Sequence, residues 1–219
     1  MAKIISISHG KNRFDCLLSG TLGDKVYYVR KGIQYTRSRP VSVSKPKSEA
    51  QLDQRAKFTT ILKFLQPLTG FLRVGFKTEH ATMSPFNAAM SYNFKNALTG
   101  TYPDYDIDYT KIRVSQGSLP GALNPKVRLT TTGEIEYTWD NNAFEINSMG
   151  DDKVLLVLYN SSKQQAAFII DGNTRFSESQ LITFPKTYVG DEIQCYIAFQ
   201  NYRQLVFSDS QFIGSLIVA

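Results

Sequence analysis

The residues best suited to chemistry lie close together near the start of the chain. Tyr27, Tyr28 and Tyr35 interleave with Lys25, Arg30, Lys31, Arg37 and Arg39, and Lys45 and Lys47 extend the basic run. Cationic side chains neutralise phosphates, and aromatic rings stack on unpaired bases. A two-stranded ribbon of this composition also fits the major groove of DNA. The same residues have a plainer reading, in which the tyrosines pack on neighbouring elements and the cations only solvate the outside. A third reading is subunit assembly. The candidate residues for nucleic-acid or partner binding are therefore Lys25, Tyr28, Arg30, Lys31, Tyr35, Arg37, Arg39, Lys45 and Lys47.

Other reactive residue types are sparse. Asp104, Asp106 and Asp108 share i, i+2, i+4 spacing, which on a strand puts three carboxylates on one face, a hard-cation arrangement. The glycine and glutamate of a calcium loop are replaced by Tyr109 and Ser115, so an acidic linker is the better reading. His9 and His80 stand near no ligand spacing or nucleophile motif. Cys16 precedes Leu17-Leu18, and Cys195 sits in the alternating run IQCYIAF; both read as small core residues. Two cysteines make neither a disulfide framework nor a four-ligand zinc site. Phosphate-binding, dinucleotide and nucleophile-elbow motifs are absent from the sequence. No catalytic residue, metal or cofactor is expected, and the protein is read as non-enzymatic.

Charge is divided unevenly. The 219 residues hold 25 Lys/Arg and 19 Asp/Glu, a net +6. Residues 1–100 carry 16 basic and 5 acidic side chains (+11), and residues 101–219 carry 9 and 14 (−5). Such asymmetry suggests an anionic partner for the first part, or mutual attraction between copies. A head-to-tail contact between basic and acidic regions builds rings or open filaments, so a homo-oligomer is expected. No apolar run approaches the roughly 18 residues of a membrane span. The opening MAKIISISHGKNRF lacks the apolar stretch of a secretory signal. The expectation is a cytoplasmic or virion-associated protein without a membrane partner.

The elements that hold these residues follow from periodicity. Residues 17–39 read as three strands joined by turns, with 26–30 and 33–37 pairing as a hairpin. Ser48 has the N-cap position of a helix, with Gln51 at capping-box spacing, and Pro67 and Gly70 end that helix. Ser84-Pro85 opens a second helix through Leu98. Beyond residue 100 the pattern alternates, predicting strands over 111–115, 126–131, 134–139, 153–159, 165–171, 181–184, 192–199 and 206–213. Trp139 ends one of these strands and is expected in the core. Strands at that spacing suggest a β-sandwich.

The segment Gly32-Ile33-Gln34-Tyr35-Thr36-Arg37-Ser38-Arg39-Pro40 is followed by Ser48-Glu49-Ala50-Gln51-Leu52-Asp53-Gln54-Arg55-Ala56-Lys57-Phe58. Together they resemble a hairpin, an arginine-proline exit and a "T-x-A-Q-x-x-x-R-x-x-F" helix found in small virion-associated or prophage-encoded proteins. With the segments 83–89 and 117–122, the whole chain is similar to an uncharacterised family of Bacteroidota and phage proteins. Ser48 stands where Thr is commoner. The resemblance implies organisation and no assigned chemistry. The expected fold is α+β and mainly β. A basic hairpin and helix-pair region spans 1–100, an Ig-like or fibronectin-like sandwich spans 109–219, and the linker lies between them.

Overall fold

The computed structural model describes residues 3–9, 13–30, 33–42, 48–77, 83–130, 133–201, 203 and 205–218, with the backbone alone for 3–9 and 13–17. Contacts divide the chain into two units, Met1–Ser48 and Glu49–Ala219. The division at 48/49 differs from the one expected within 100–108, and the reason lies in the second unit's core.

The first unit is an antiparallel meander of β1 (Lys3–His9), β2 (Arg13–Leu22), β3 (Lys25–Arg30) and β4 (Ile33–Ser38), hydrogen-bonded in that order. The three strands expected over 17–39 are present, and β1 is an addition that the polar-apolar run KIISISH did not announce. None of the side chains described in this unit is buried.

The second unit opens with helices. α1 (Glu49–Leu65) starts directly after Ser48, as expected. Pro67 turns the chain into a single 3-10 turn, Gln66–Leu68. Gly70 does not stop the helical path, which continues as α2 (Thr69–Gly75). Here glycine serves close approach, because a Cβ at Gly70 would meet the Phe168 ring at 3.3 Å. α3 (Pro85–Asn96) is capped by Ser84, whose hydroxyl accepts from the Asn87 N–H at 3.3 Å. The expected linker is instead a hairpin of β5 (Leu98–Thr101) and β6 (Asp104–Ile107). Gly100, at φ +86, makes its tight entry; a Cβ there would lie 2.4 Å from the Asp104 carbonyl oxygen.

The remaining strands are β7 (Leu123–Leu129), β8 (Ile135–Asp140), β9 (Lys153–Asn160), β10 (Gln165–Ile169), β11 (Ser179–Ile182), β12 (Glu192–Asn201), β13 (Val206–Phe207) and β14 (Gln211–Ile217). Sheet β11-β8-β7 packs on sheet β10-β9-β12-β13, in which β14 also pairs with β12. The arrangement is sandwich-like and mainly β. Between the sheets lie Ile135, Tyr137 and Trp139 of β8 against Leu156, Leu158, Ile193, Cys195, Ile197 and Phe199. The expected strand at 111–115 is absent. Ile112 and Val114 are buried in the core beneath the helices, while the Arg113 N–H donates to Asn93 Oδ1 and the Val114 N–H to Ser210 Oγ, both at 2.9 Å. Their alternation reflects packing into that core rather than a ladder. The expected strand at 206–213 is split into β13 and the start of β14 by Ser208-Asp209-Ser210.

The other face of the larger sheet is where the helices sit. Leu155, Val157, Tyr159, Tyr196 and Ala198 form one core with Ile61, Phe64, Leu65, Phe71 and Leu72. The Phe64 and Tyr159 ring centroids are 4.5 Å apart, and Phe71 meets Phe168 edge-on at 5.7 Å. The unit thus has three layers, and the helices belong with the strands that follow them. Each large side chain uncovered by removing the helices forfeits about 1.5–3 kcal/mol, against a usual total stability of about 5–15 kcal/mol. Residues 49–219 expressed alone should unfold cooperatively with intact near-UV circular dichroism, whereas 109–219 should lack that signal and precipitate. A cooperative, well-packed 109–219 would separate the helices from the core.

Candidate interaction face

Hairpin register gathers part of the expected site. Tyr28 pairs directly with Tyr35, Val26 with Arg37 and Arg30 with Ile33. Because side chains alternate along strands, these six residues share one face of the ribbon. The two tyrosine rings stack with centroids 5.5 Å apart and planes 17° from parallel, and both are about two-fifths exposed (41% and 42%). Arg30 lies two residues beyond Tyr28 on β3, and Arg37 lies two beyond Tyr35 on β4. The two cations therefore bracket the stacked pair from opposite ends, roughly 14 Å apart at about 3.4 Å per residue. All four of these side chains are exposed.

The rest of the expected set is dispersed or outside view. Lys25 shares the opposite face with the half-buried Tyr27 and Val29. Arg39 follows β4, its N–H donating to the Asp24 carbonyl at 2.6 Å. Lys31, Lys45 and Lys47 lie outside the described residues, as does His80. Gln34, on Lys25's face, accepts from the Leu18 N–H at 3.1 Å and ties the hairpin to β2.

Elsewhere the reactive side chains are engaged with one another. The Tyr105 hydroxyl donates to Asp53, and Lys57 Nζ lies 2.8 Å from the same carboxylate and 5.3 Å over the Tyr105 ring. Lys57 and Tyr105 hold the Asp53 carboxyl below its usual range, while that carboxylate raises both the lysine and the tyrosine. Lysine stays charged and tyrosine protonated, the reverse of what a general base needs. Burial pushes the Cys195 thiol up to about 12, far from a reactive thiolate. Of the three spaced aspartates, Asp106 accepts from the Ile107 N–H, and Asp108 is engaged by Thr110 and Lys111. A cavity of about 430 Å³ lined by Asp151, Lys153, Asp171, Thr174, Asn201 and Arg203 holds opposed charges, with Arg203 3.2 Å from Asp151.

One cluster escaped sequence reasoning altogether. Arg175 is fully buried, its Nε 3.2 Å from Asp152 Oδ2. Its other nitrogens donate to Asn142 Oδ1 at 2.5 Å and to the Gly121 and Pro120 carbonyls at 2.9 Å. The guanidinium lies 3.9 Å over the Phe199 ring, and Trp139 Nε1 donates to the Arg175 carbonyl at 2.9 Å. Asp152 also accepts from Asn201 Nδ2 and the Met149 N–H, each at 2.9 Å. Burial pulls the guanidinium below its ordinary value and Asp152 opposes that shift. The cluster joins the 120–122 turn, the loop after β8 and the start of β9, so its role is positional. No spacing signals it, because its partners are mostly carbonyls and amides. Arg175→Met should cost about 3–5 kcal/mol in urea unfolding, since it leaves the buried Asp152 without its partner; a loss below about 1 kcal/mol would show the cluster to be ornamental.

A model of a family of unknown function, DUF6266, matches residues 17–214. The curated proteins include no match to the chain.

Proposed function

We propose that this chain, which belongs to the DUF6266 family, is a non-enzymatic structural and binding protein that assembles with copies of itself through its N-terminal meander. One observation carries the reading. Met1–Ser48 forms a four-stranded sheet whose described side chains are all at least partly exposed, although Leu22, Tyr28, Ile33 and Tyr35 are among them. A small sheet with apolar and aromatic groups exposed among its described side chains has a face suited to a partner. Complementary charge is available in a second copy, because residues 101–219 carry the excess of Asp and Glu. The similarity of the hairpin and α1 motifs to virion-associated and prophage-encoded proteins supports a structural component of a phage or prophage-derived particle. On this reading the protein acts in the cytoplasm or within a virion. Among the described residues no helix is long and apolar enough to cross a membrane.

The stacked tyrosines bracketed by two arginines favour a second reading, nucleic-acid binding through the same face. Sedimentation of nuclease-treated protein separates the two. Under assembly, Arg30→Ala/Arg37→Ala shrinks the sedimenting species in the absence of any nucleic acid. Under nucleic-acid binding, Tyr28→Ala and Tyr35→Ala weaken single-stranded binding more than duplex binding. Affinity then falls by about 0.7–0.9 log units per log unit of salt for each phosphate contact. A parent protein that stays monomeric at high concentration and ignores both DNA and RNA leaves neither reading standing.

A further inference from the structure

The loop between β8 and β9 exposes two large apolar side chains almost completely: Phe144 is 89% and Ile146 86% accessible. Met149 in the same loop and Phe176 are also exposed. Phe176 covers Gly150 so closely that a Cβ there would fall 1.7 Å from its ring. Isolated exposed hydrophobics are ordinary, but several on one held loop are not.

The loop is held from within and from below. The Glu145 N–H donates to the Asn142 carbonyl at 3.2 Å and the Ser148 N–H to the Glu145 carbonyl at 3.0 Å. The Ser148 hydroxyl lies 2.7 Å from the Asn142 carbonyl and 2.9 Å from that of Glu145. Asn142 Nδ2 donates to the Gly121 carbonyl at 3.1 Å, and its Oδ1 accepts from the buried Arg175. Asn147 sits at φ 69, in the left-handed region that asparagine enters more readily than most side-chain-bearing residues. Phe144 and Ile146 therefore project from a preorganised base, which lowers the entropy lost when something covers them.

Charge identifies the occupant. Residues 140–152 contain no Lys or Arg and four acidic side chains; Asp152 is buried on Arg175 and Asp151 pairs with Arg203, which leaves the exposed Asp140 and Glu145 to face a partner. Residues 25–39 contain five basic ones (Lys25, Arg30, Lys31, Arg37, Arg39) and no Asp or Glu. The hairpin face adds exposed Ile33, Tyr28 and Tyr35 beside Arg30 and Arg37. Apolar anchors rimmed by acid on one side, and aromatic and apolar groups rimmed by arginine on the other, match the usual layout of a protein interface.

We propose that the 141–150 loop is the docking site for the hairpin face of a second copy of this chain, with Phe144 and Ile146 as anchors and Glu145 facing its arginines. The proposal rests on the self-assembly reading and supplies its other half. Because the two patches differ, the contact is heterologous: an open assembly keeps a free hairpin at one end and a free loop at the other, and a closed ring keeps neither.

The test uses full-length, nuclease-treated protein in sedimentation velocity over a concentration series. Phe144→Ser/Ile146→Ser should weaken self-association about tenfold or more with the melting temperature unchanged, since both residues are solvated in the single copy. Arg30→Glu/Arg37→Glu should do the same. Mixing these two variants, at a concentration where neither assembles alone, should give a one-to-one dimer and nothing larger, because only one intact hairpin and one intact loop remain. A parent that does not self-associate overturns the assembly reading and this inference with it. A parent that associates while Phe144→Ser/Ile146→Ser associates equally well overturns the inference alone. So does a mixture that yields no dimer, or association that appears only with added nucleic acid.

Discussion

Strands β9 and β12 lie side by side with almost none of their surface in water. Seven consecutive residues of β9, Val154–Asn160, are buried, and so are nine of β12, 193–201. Leu155, Val157 and Tyr159 point to the helices while Val154, Leu156 and Leu158 point to the smaller sheet. The pair therefore serves two cores at once. Truncating a buried leucine in such a pair costs about 2–5 kcal/mol on either side. A hydrogen-bonded ladder transmits displacement across it, so neither the helical layer nor the three-stranded sheet can shift without the other. The β12–β14 register shift at Cys195/Tyr196 belongs to the same scheme. It sets Phe212 against Tyr196 on the helix side, 5.4 Å between ring centroids, while Ile213 and Leu216 face the other core.

The meander in Met1–Ser48 is the opposite case. Its strands pair well, yet the side chains described in it stay at least partly in water. Backbone ladders with no covered face are marginal by themselves. Such a sheet gains more from a partner than the three-layered unit does, and that difference underlies the functional reading. On the proposed function, the large unit is the frame and the small one carries the contact chemistry. The Arg175 cluster fits the frame's role, because it fastens three loops to the end of the sandwich without presenting a reactive group.

Much of the local structure was legible in the residues. Turn residues and β-branched runs marked β3 and β4, Ser48 and Ser84 marked the starts of α1 and α3, and most later strands followed from alternation. What failed was whatever depends on distant partners. The apolar run VLLVLY reads as a strand but does not say that each face meets a different layer, so the helices were assigned to the wrong neighbour. Gly70 read as a stop and proved to be a contact with Phe168, which is 98 residues away in sequence. The acidic stretch read as a linker is a hairpin beside α1, where Tyr105 reaches Asp53. In the candidate site, alternation correctly put Tyr28 and Arg30 together, but only the β3–β4 register could add Tyr35 and Arg37. Asn142 and Ser148 gave no hint that they brace the loop carrying Phe144 and Ile146, because their partners are main-chain carbonyls and the distant Arg175.

The order of the layers along the chain also sets a schedule for the ribosome. Phe64 and Phe71 are translated early, yet Tyr159, Phe168 and Tyr196, which cover them, come roughly 90–130 residues later. At about 5–20 residues per second the amphipathic helices wait on the order of 5–25 s with their apolar faces open. A nascent chain thus carries uncovered apolar helix faces through the middle of synthesis, and any slowing of translation between residues 76 and 150 would lengthen that exposure without changing a single amino acid.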